Sequence, residues 1–150
     1  MLTLRTPWPD EAGRLTELCL RSKAIWGYDE AFLEACRAEL TVTPPTMRAS
    51  PFIVAEIDGT LVGMAQVTVK GDIAELDKLF VEPTQLRGGC GRALLGWAIA
   101  TARDAGAVAL IIESDPGAAG FYRRLGAVED GTAPSGSIPG RVLPRLKIAL

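Results

Sequence analysis

A glycine-rich segment, LRGGCGR at residues 86–92, has the residue types and spacing of a binding site for negative charge. It lies between an apolar, strand-like run and a run with helical spacing, so its glycines precede the first turn of a helix. The first amides of a helix have no partner within it and attract anions along the helix dipole. Glycines leave those amides accessible, and arginines add charge-assisted hydrogen bonds. The segment therefore predicts a pyrophosphate site. Its residues are Arg87, Gly88, Gly89, Gly91 and Arg92.

Other types of glycine-rich loop fit this segment less well. A Walker loop ends in Gly-Lys-Ser or Gly-Lys-Thr, whereas this segment continues as Gly91-Arg92-Ala93. A dinucleotide-binding fingerprint requires a third glycine where Leu94 stands, and the strand before the segment belongs to a predicted meander. A glycine turn that binds no ligand is the remaining alternative.

Carboxylates are the candidate proton acceptors, because the chain contains no histidine. The same absence excludes a Ser–His or Cys–His dyad, and the three cysteines, Cys19, Cys36 and Cys90, lack the spacing of a zinc site. Glu75 and Asp77 stand two residues apart on the strand before the glycine segment, so they share one face of it. They could accept a proton or attract an ammonium group. A solvated or ion-paired strand face is the alternative.

The order of the elements that position these residues predicts a mixed α/β sheet with helices on its faces. The predicted strands cover residues 1–6, 52–57, 61–69, 73–81, 108–113 and 143–150. The predicted helices begin at the caps Asp10 and Asp29, at the glycine segment and at Asp115-Pro116, and they end near Ala24, Leu40, Gly106 and Gly126. The predicted connections include a prolyl linker over 41–51 and a glycine- and proline-rich loop over 131–141.

Length and composition are those of one globular domain over residues 1–150, with 48% hydrophobic and 23% charged residues. No apolar run has membrane-spanning length, and prolines and acidic residues occupy 7–11, where a signal peptide is apolar; we therefore expect a cytoplasmic protein. Residues 1–86 carry 8 basic and 13 acidic side chains, and residues 87–150 carry 8 and 5, which favours an anionic ligand in the second part. No basic run is interleaved with aromatic residues, so nucleic acid is not an expected partner.

Three segments resemble motifs of the GNAT superfamily of N-acetyltransferases, and the resemblance covers nearly the whole chain. Residues 86–91, LRGGCG, resemble the acetyl-CoA loop Gln/Arg-x-x-Gly-x-Gly/Ala, with Leu86 in place of its first polar residue. Residues 115–128, DPGAAGFYRRLGAV, resemble the segment Asn-x-x-Ala-x-x-Phe-Tyr-x-x-x-Gly-Phe, and residues 76–83, LDKLFVEP, resemble the fourth strand. The resemblance implies a GNAT fold: a mixed, mostly antiparallel central sheet of six or seven strands with helices on both faces.

The resemblance also implies an acyltransferase that moves an acetyl group from acetyl-CoA directly to a primary amine of a small molecule or peptide. Glu75 then takes the position of the glutamate base and Tyr122 that of the general acid, and no metal is implied. A main-chain amide near Phe80 or Val81 is implied to stabilise the oxyanion. The residues implied to contact acetyl-CoA are Leu79, Phe80, Val81, Leu86, Arg87, Gly88, Gly89, Cys90, Gly91, Arg92, Asp115, Ala118, Phe121 and Tyr122. Trp26 and Tyr28 take positions where the substrate pocket of the family forms. Asp77 and Arg141 are further predicted contacts of the acceptor, because Asp77 could attract an ammonium group and Arg141 could bind a carboxylate.

A non-catalytic acyl-CoA sensor or regulatory module is the alternative function. Leu86 departs from the loop motif and is compatible with that alternative, whereas the presence of both Glu75 and Tyr122 favours an enzyme. The expected assembly is a monomer or a homodimer, without a nucleic-acid or membrane partner.

Overall fold

One seven-stranded sheet runs through the chain in a computed structural model that describes residues 1–150, with the strand order β1-β2-β3-β4-β5-β7-β6. The strands are β1 (Leu2–Arg5), β2 (Phe52–Ile57), β3 (Thr60–Lys70), β4 (Ile73–Val81), β5 (Ala109–Glu113), β6 (Val128–Pro134) and β7 (Val142–Ala149). The helices are α1 (Ala12–Ala24), α2 (Glu30–Leu40), α3 (Pro44–Ala49), α4 (Cys90–Asp104) and α5 (Ala119–Arg124). All neighbouring strands are antiparallel except β4 and β5, which confirms the predicted mixed α/β sheet.

Alternate residues of β2 enter hydrophobic cores on opposite faces of the sheet, as the two-residue period of a strand requires. Val54 packs in one core with Leu15 of α1 and residues of α2. Ile53 and Ala55 pack in another core with Leu94 of α4. Leu15 and Leu94 are fully buried, and each contributes about 2 kcal/mol of burial free energy. Helices therefore cover both faces and hold the centre of the sheet between them.

The strands β4 and β5 separate in the middle of the sheet. They pair only over Ile73–Glu75 and Ala109–Ile111. Just beyond this pairing β4 contains a bulge, because Lys78 lies opposite Gln66 of β3 and Leu76 lies opposite the next residue, so Asp77 has no partner. A bulge bends a strand and increases its twist. The bulge in β4 therefore lies where β4 and β5 separate.

The prolyl linker predicted over 41–51 is wrong, because this stretch contains helix α3. Thr43 caps the helix: its side chain accepts a hydrogen bond from the Thr46 amide, and the Thr46 side chain accepts one from the Thr43 amide. Pro44 occupies the first turn, where its missing N–H costs nothing. The prolines of this stretch are thus those of a helix start, although they are also typical of a linker.

Three other predicted boundaries are also wrong. Asp10 lies in a 3-10 turn, Pro9–Glu11, and does not cap α1. The short helix begins at Ala119 and not at Asp115, whose carboxylate accepts a hydrogen bond from the Gly117 amide in a turn. The loop predicted over 131–141 contains the last residues of β6, an edge strand that has little apolar alternation because most of its side chains are exposed.

No helix of the chain is both long and apolar enough to cross a membrane.

A buried ion pair ties β1 to the turn before α1. Glu11 is 1% exposed, and Arg5 donates to its two carboxylate oxygens at 2.9 and 2.7 Å. The Trp8 amide donates a third hydrogen bond at 2.8 Å. The Arg5 hydrogen bond is the main reason that the pKa of Glu11 lies below its ordinary value, although burial opposes it.

Glu11→Gln is expected to lower the free energy of unfolding by about 2–4 kcal/mol, because it removes the buried partner of Arg5 and leaves only Glu56, at 3.1 Å, to compensate the guanidinium. Since the folded-state pKa is lowered, the pair stabilises the protein above the unfolded pKa of about 4.3 and loses its effect as the pH falls through the folded value. Urea unfolding at pH 7 and pH 3 checks both points: the difference between wild type and variant should shrink at pH 3. Glu17→Gln, which breaks an exposed pair with Arg37, is the control and should cost less than about 1 kcal/mol.

Candidate active site

A cavity of about 450 Å³ lies where β4 and β5 separate. This volume is in the range of small-molecule sites. Twelve residues that the sequence predicted for the site line it: Trp26, Asp77, Leu79, Phe80, Val81, Leu86, Arg87, Gly91, Asp115, Ala118, Phe121 and Tyr122. Seven others do not line it: Tyr28, Glu75, Gly88, Gly89, Cys90, Arg92 and Arg141. A larger and more open groove, of about 630 Å³, lies beside α3 and contains none of these residues.

The start of α4 presents unpaired amides beside this cavity. The first backbone hydrogen bond of the helix runs from the Ala93 amide to the Gly89 carbonyl at 3.0 Å. The four preceding amides, those of residues 89–92, donate to no oxygen of the chain. Gly89 has a φ of 82°, and a Cβ atom on it would meet nothing within 4 Å. These amides therefore keep their hydrogen-bonding capacity for a group from outside the chain, and the space beside Gly89 is open.

The other two glycines of the segment are explained by contacts within the protein. A Cβ atom on Gly91 would lie 3.1 Å from the Phe121 ring, so this glycine lets α5 approach α4. The Gly88 amide donates to the Gln85 carbonyl at 3.2 Å in the turn before the helix. Cys90 is 1% exposed, burial raises the pKa of its thiol to about 11, and it packs in the core. Among the three glycines of the segment, Gly89 is thus the one with open space at its Cβ position.

Arginines add positive charge around the cavity. Arg87 lines it, as predicted, and so does Arg124 at the end of α5. The sequence prediction missed Arg124, although it stands two residues after Tyr122 in a motif that was recognised. Neither arginine has a carboxylate partner within 4.0 Å in the chain, so both charges are available to an anionic ligand.

Asp77 and Glu75 lie on the same face of β4, but only Asp77 lines the cavity. Glu75 is exposed and lies opposite Thr68 of β3, where β4 still pairs with β5. The bulge places Asp77 beyond this pairing. Burial, and then the nearby Glu75 charge, raise the pKa of Asp77, while a hydrogen bond from Thr68 acts in the opposite direction.

Tyr122 also lines the cavity and is 6% exposed. Its ring packs edge to face with Phe121, with 5.1 Å between the ring centroids. Burial raises the pKa of its phenol, which has no hydrogen-bond partner in the chain. The phenol is therefore protonated at neutral pH, and its proton is free to be donated to a bound group.

Asp115, which lines the cavity, joins three distant segments of the chain. Its carboxylate accepts hydrogen bonds from Lys23 of α1 at 3.1 Å and from the Tyr28 hydroxyl at 2.9 Å. Arg141, from the connection between β6 and β7, donates to the Tyr28 hydroxyl at 2.5 Å. Although burial opposes it, the hydrogen bonds from the Gly117 amide and Tyr28, together with Lys23, keep the pKa of Asp115 below its ordinary value. Tyr28 and Arg141, which were predicted to contact the acceptor, thus hold the wall of the cavity.

Trp26 forms part of this wall. Its side chain is 42% exposed and lines the cavity. A Cβ atom on Gly117 would lie 2.5 Å from the indole, so the ring lies directly on the backbone at that glycine. An indole held in this way offers its exposed part to a bound group, by contact or by cation–π attraction.

A sequence model described as the Acetyltransferase (GNAT) family matches residues 16–127 of the chain. A curated relative, an IAA acetyltransferase from Azospirillum brasilense, is 34% identical over 96 residues, which cover 61% of this chain and 61% of that protein. The match thus spans less than two thirds of the length of that relative.

Solved structures share the fold at low sequence identity. A PaiA N-acetyltransferase from Thermoplasma acidophilum, in complex with coenzyme A, has a TM-score of 0.79 at 17% identity, over 100% of this chain and 99% of that one. A GCN5-related N-acetyltransferase from Rhodopseudomonas palustris has a TM-score of 0.80 at 22% identity, over 99% and 95%. The ribosomal-protein-S18-alanine N-acetyltransferase from Escherichia coli has a TM-score of 0.70 at 19% identity, over 99% and 94%. These likenesses confirm the predicted fold.

Proposed function

Because this chain belongs to the GNAT family of acetyltransferases, we propose that it transfers an acetyl group from acetyl-CoA directly to the primary amine of a small molecule or peptide. The observation that carries the proposal is the cavity between β4 and β5, which is lined by Gly91 from the unpaired start of α4, by Arg87 and Arg124, and by the carboxylate of Asp77. A bound thioester and an amine would meet inside it. Cytoplasmic location and a monomeric or homodimeric state stay predictions of the sequence.

The residues at the start of α4 fit coenzyme A. Four unpaired amides, a glycine without steric obstruction at residue 89 and two arginines without carboxylate partners match a diphosphate in charge and in hydrogen-bonding capacity. Acetyl-CoA supplies the activated acetyl group as a thioester. The relative from Thermoplasma acidophilum is in complex with coenzyme A, which supports the same ligand here.

Asp77 is the proposed proton acceptor for the amine. A free alkylamine has a pKa of about 10.4, so only about 0.1% of it is nucleophilic at neutral pH. A carboxylate attracts the ammonium form and receives its proton, directly or through water. The geometry favours Asp77 over Glu75, because Asp77 lines the cavity. Glu75 lies on the same face of β4 but outside the cavity, and its negative charge adds to the attraction of the ammonium group.

Tyr122 is the proposed proton donor to the departing thiolate of coenzyme A. Tyr122→Phe is expected to lower kcat by about 10²-fold. The Kd for coenzyme A and the melting temperature should change little, because the phenol has no partner in the chain and the ring is kept. Steady-state kinetics, coenzyme titration and thermal unfolding measure the three quantities. An unchanged kcat would leave Tyr122 as a packing residue.

A two-stage experiment tests the proposed function. Thermal shifts with acetyl-CoA, ATP and NAD come first, and only acetyl-CoA is expected to stabilise the protein, by about 2.7 kcal/mol at 100 times its Kd. A thiol-release screen over polyamines, amino acids, aminoglycosides and peptides follows. Binding of acetyl-CoA without acceptor-dependent thiol release would favour the non-catalytic sensor, and absence of binding would overturn both functions.

A further inference from the structure

We propose that Thr68 is a positioning residue that holds the carboxylate of Asp77 toward the acceptor amine. The inference rests on the proposed function and adds to it a hydroxyl group from outside the cavity. Thr68 is in β3. It does not line the cavity, so it would act through Asp77.

A single hydrogen bond joins Thr68 to Asp77. The Thr68 hydroxyl lies 2.5 Å from Oδ2 of Asp77, and it is the donor, because an ionised carboxylate can only accept. Thr68 has one hydroxyl proton, so a proton given to Asp77 is not available to the Ser50 hydroxyl, 3.3 Å away. Asp77 is therefore the partner of the Thr68 hydroxyl.

The bulge in β4 explains why Asp77 needs this partner. Strand pairing fixes a residue through its backbone, but Asp77 is the unpaired residue of the bulge, and its neighbours Leu76 and Lys78 take the positions opposite β3. Its side chain is exposed to the cavity and makes no ion pair within 4.0 Å. The Thr68 hydrogen bond occupies Oδ2. Oδ1 has no partner in the chain and is left for the amine.

Several charged side chains act on the pKa of Asp77, which a titration of its carboxylate would measure. Glu75 shares its face of β4, and Lys70 and Lys78 lie close enough to act on it. The other charged residues that line the cavity are Lys23, Glu39, Arg87, Glu113, Asp115 and Arg124. Burial and Glu75 raise the pKa of Asp77, and the hydrogen bond from Thr68 and the two lysines lower it. Removal of the hydroxyl alone should raise this pKa, because a donor to a carboxylate favours its ionised form.

The test compares Thr68→Val, which removes the hydroxyl and keeps the shape, with Thr68→Ser, which keeps the hydroxyl. In Thr68→Val the pKa of Asp77, followed by NMR of its carboxyl carbon, should rise by about one pH unit. The acidic limb of the pH profile should move to higher pH by the same amount. At pH 7 the kcat/KM for the amine should fall about tenfold, while the KM for acetyl-CoA stays the same. Thr68→Ser should resemble wild type in all of these.

The outcomes separate the inference from the function on which it rests. An unchanged pKa of Asp77 and an unchanged kcat/KM in Thr68→Val would overturn the positioning role. A wild-type protein without acetyl transfer would overturn the proposed function, whereas the NMR titration would still decide whether Thr68 controls Asp77. If Thr68→Val does not fold, Thr68→Ala also removes the hydroxyl and takes its place. It should move the pKa of Asp77 in the same direction, and no movement would overturn the positioning role.

Discussion

Replacement of Asp77 by asparagine is expected to lower kcat/KM for the acceptor amine by about 10³-fold. Asparagine keeps the size of the side chain but cannot take a proton from an ammonium group or attract it by charge. Asp77 is exposed, lies in the bulge and makes no ion pair, so the fold should tolerate the change. The KM for acetyl-CoA should stay within about threefold of wild type. The unpaired amides at the start of α4 and the two arginines belong to other elements than β4, and the exchange leaves them unchanged.

The same exchange at Glu75 decides between the two carboxylates. Glu75→Gln removes a charge on the same face of the same strand, but outside the cavity. A loss of about threefold is expected, through weaker attraction of the ammonium form. Asp72→Asn, in the turn before β4, is the matched control for loss of charge near the strand. A larger loss in Glu75→Gln than in Asp77→Asn would return the role of base to the residue first predicted from the sequence.

Gly89→Val is expected to weaken binding of acetyl-CoA by at least about 100-fold. The backbone at Gly89 has a φ of 82°, a conformation that a β-branched residue strongly disfavours, and the space where its Cβ would lie is open. The new side chain would fill the space above the unpaired amides. Isothermal titration with acetyl-CoA measures the loss.

Gly106→Val is the matched control for backbone strain. Gly106 follows the other end of the same helix, has a φ of 91° and also has open space around its Cβ position. Both variants should lose stability to a similar degree, about 1–2 kcal/mol. Only Gly89→Val should lose binding. Equal affinities for acetyl-CoA in the two variants would contradict the role of the open amides.

Strong local patterns in the sequence predicted most of the fold. The alternating strands around the Asp58-Gly59 turn and the helical spacing after Gly89 are such patterns, and both elements formed as predicted. Local signals failed at α3 and at β6. Pro44 and its neighbour are typical of a linker, but here they start a helix. The side chains of the edge strand β6 are mostly exposed, so its sequence lacks the two-residue alternation of a half-buried strand. The helix start was hidden in a capping box formed by two threonines.

The site was predicted as a set of residues, but the sequence could not define how they are arranged. A regular strand would give Glu75 and Asp77 equivalent positions. The bulge that brings only Asp77 to the cavity depends on pairing with β3, which is a tertiary property. Arg141 and Tyr28 were predicted to meet the acceptor separately. Their contact across 113 positions of sequence, and their joint attachment to Asp115, become visible only in the folded chain.

The single carboxylate of Asp115 anchors three segments at one wall of the cavity. Lys23, Tyr28 and Arg141 belong to α1 or to connections, and none of them belongs to β4 or to the start of α4. On the proposed function, new lengths or residues in those connections would alter the wall of the cavity, whereas the unpaired amides at the start of α4 would stay as they are. An enzyme engineer who wants a different acceptor should therefore redesign around this anchor and leave the glycine segment untouched.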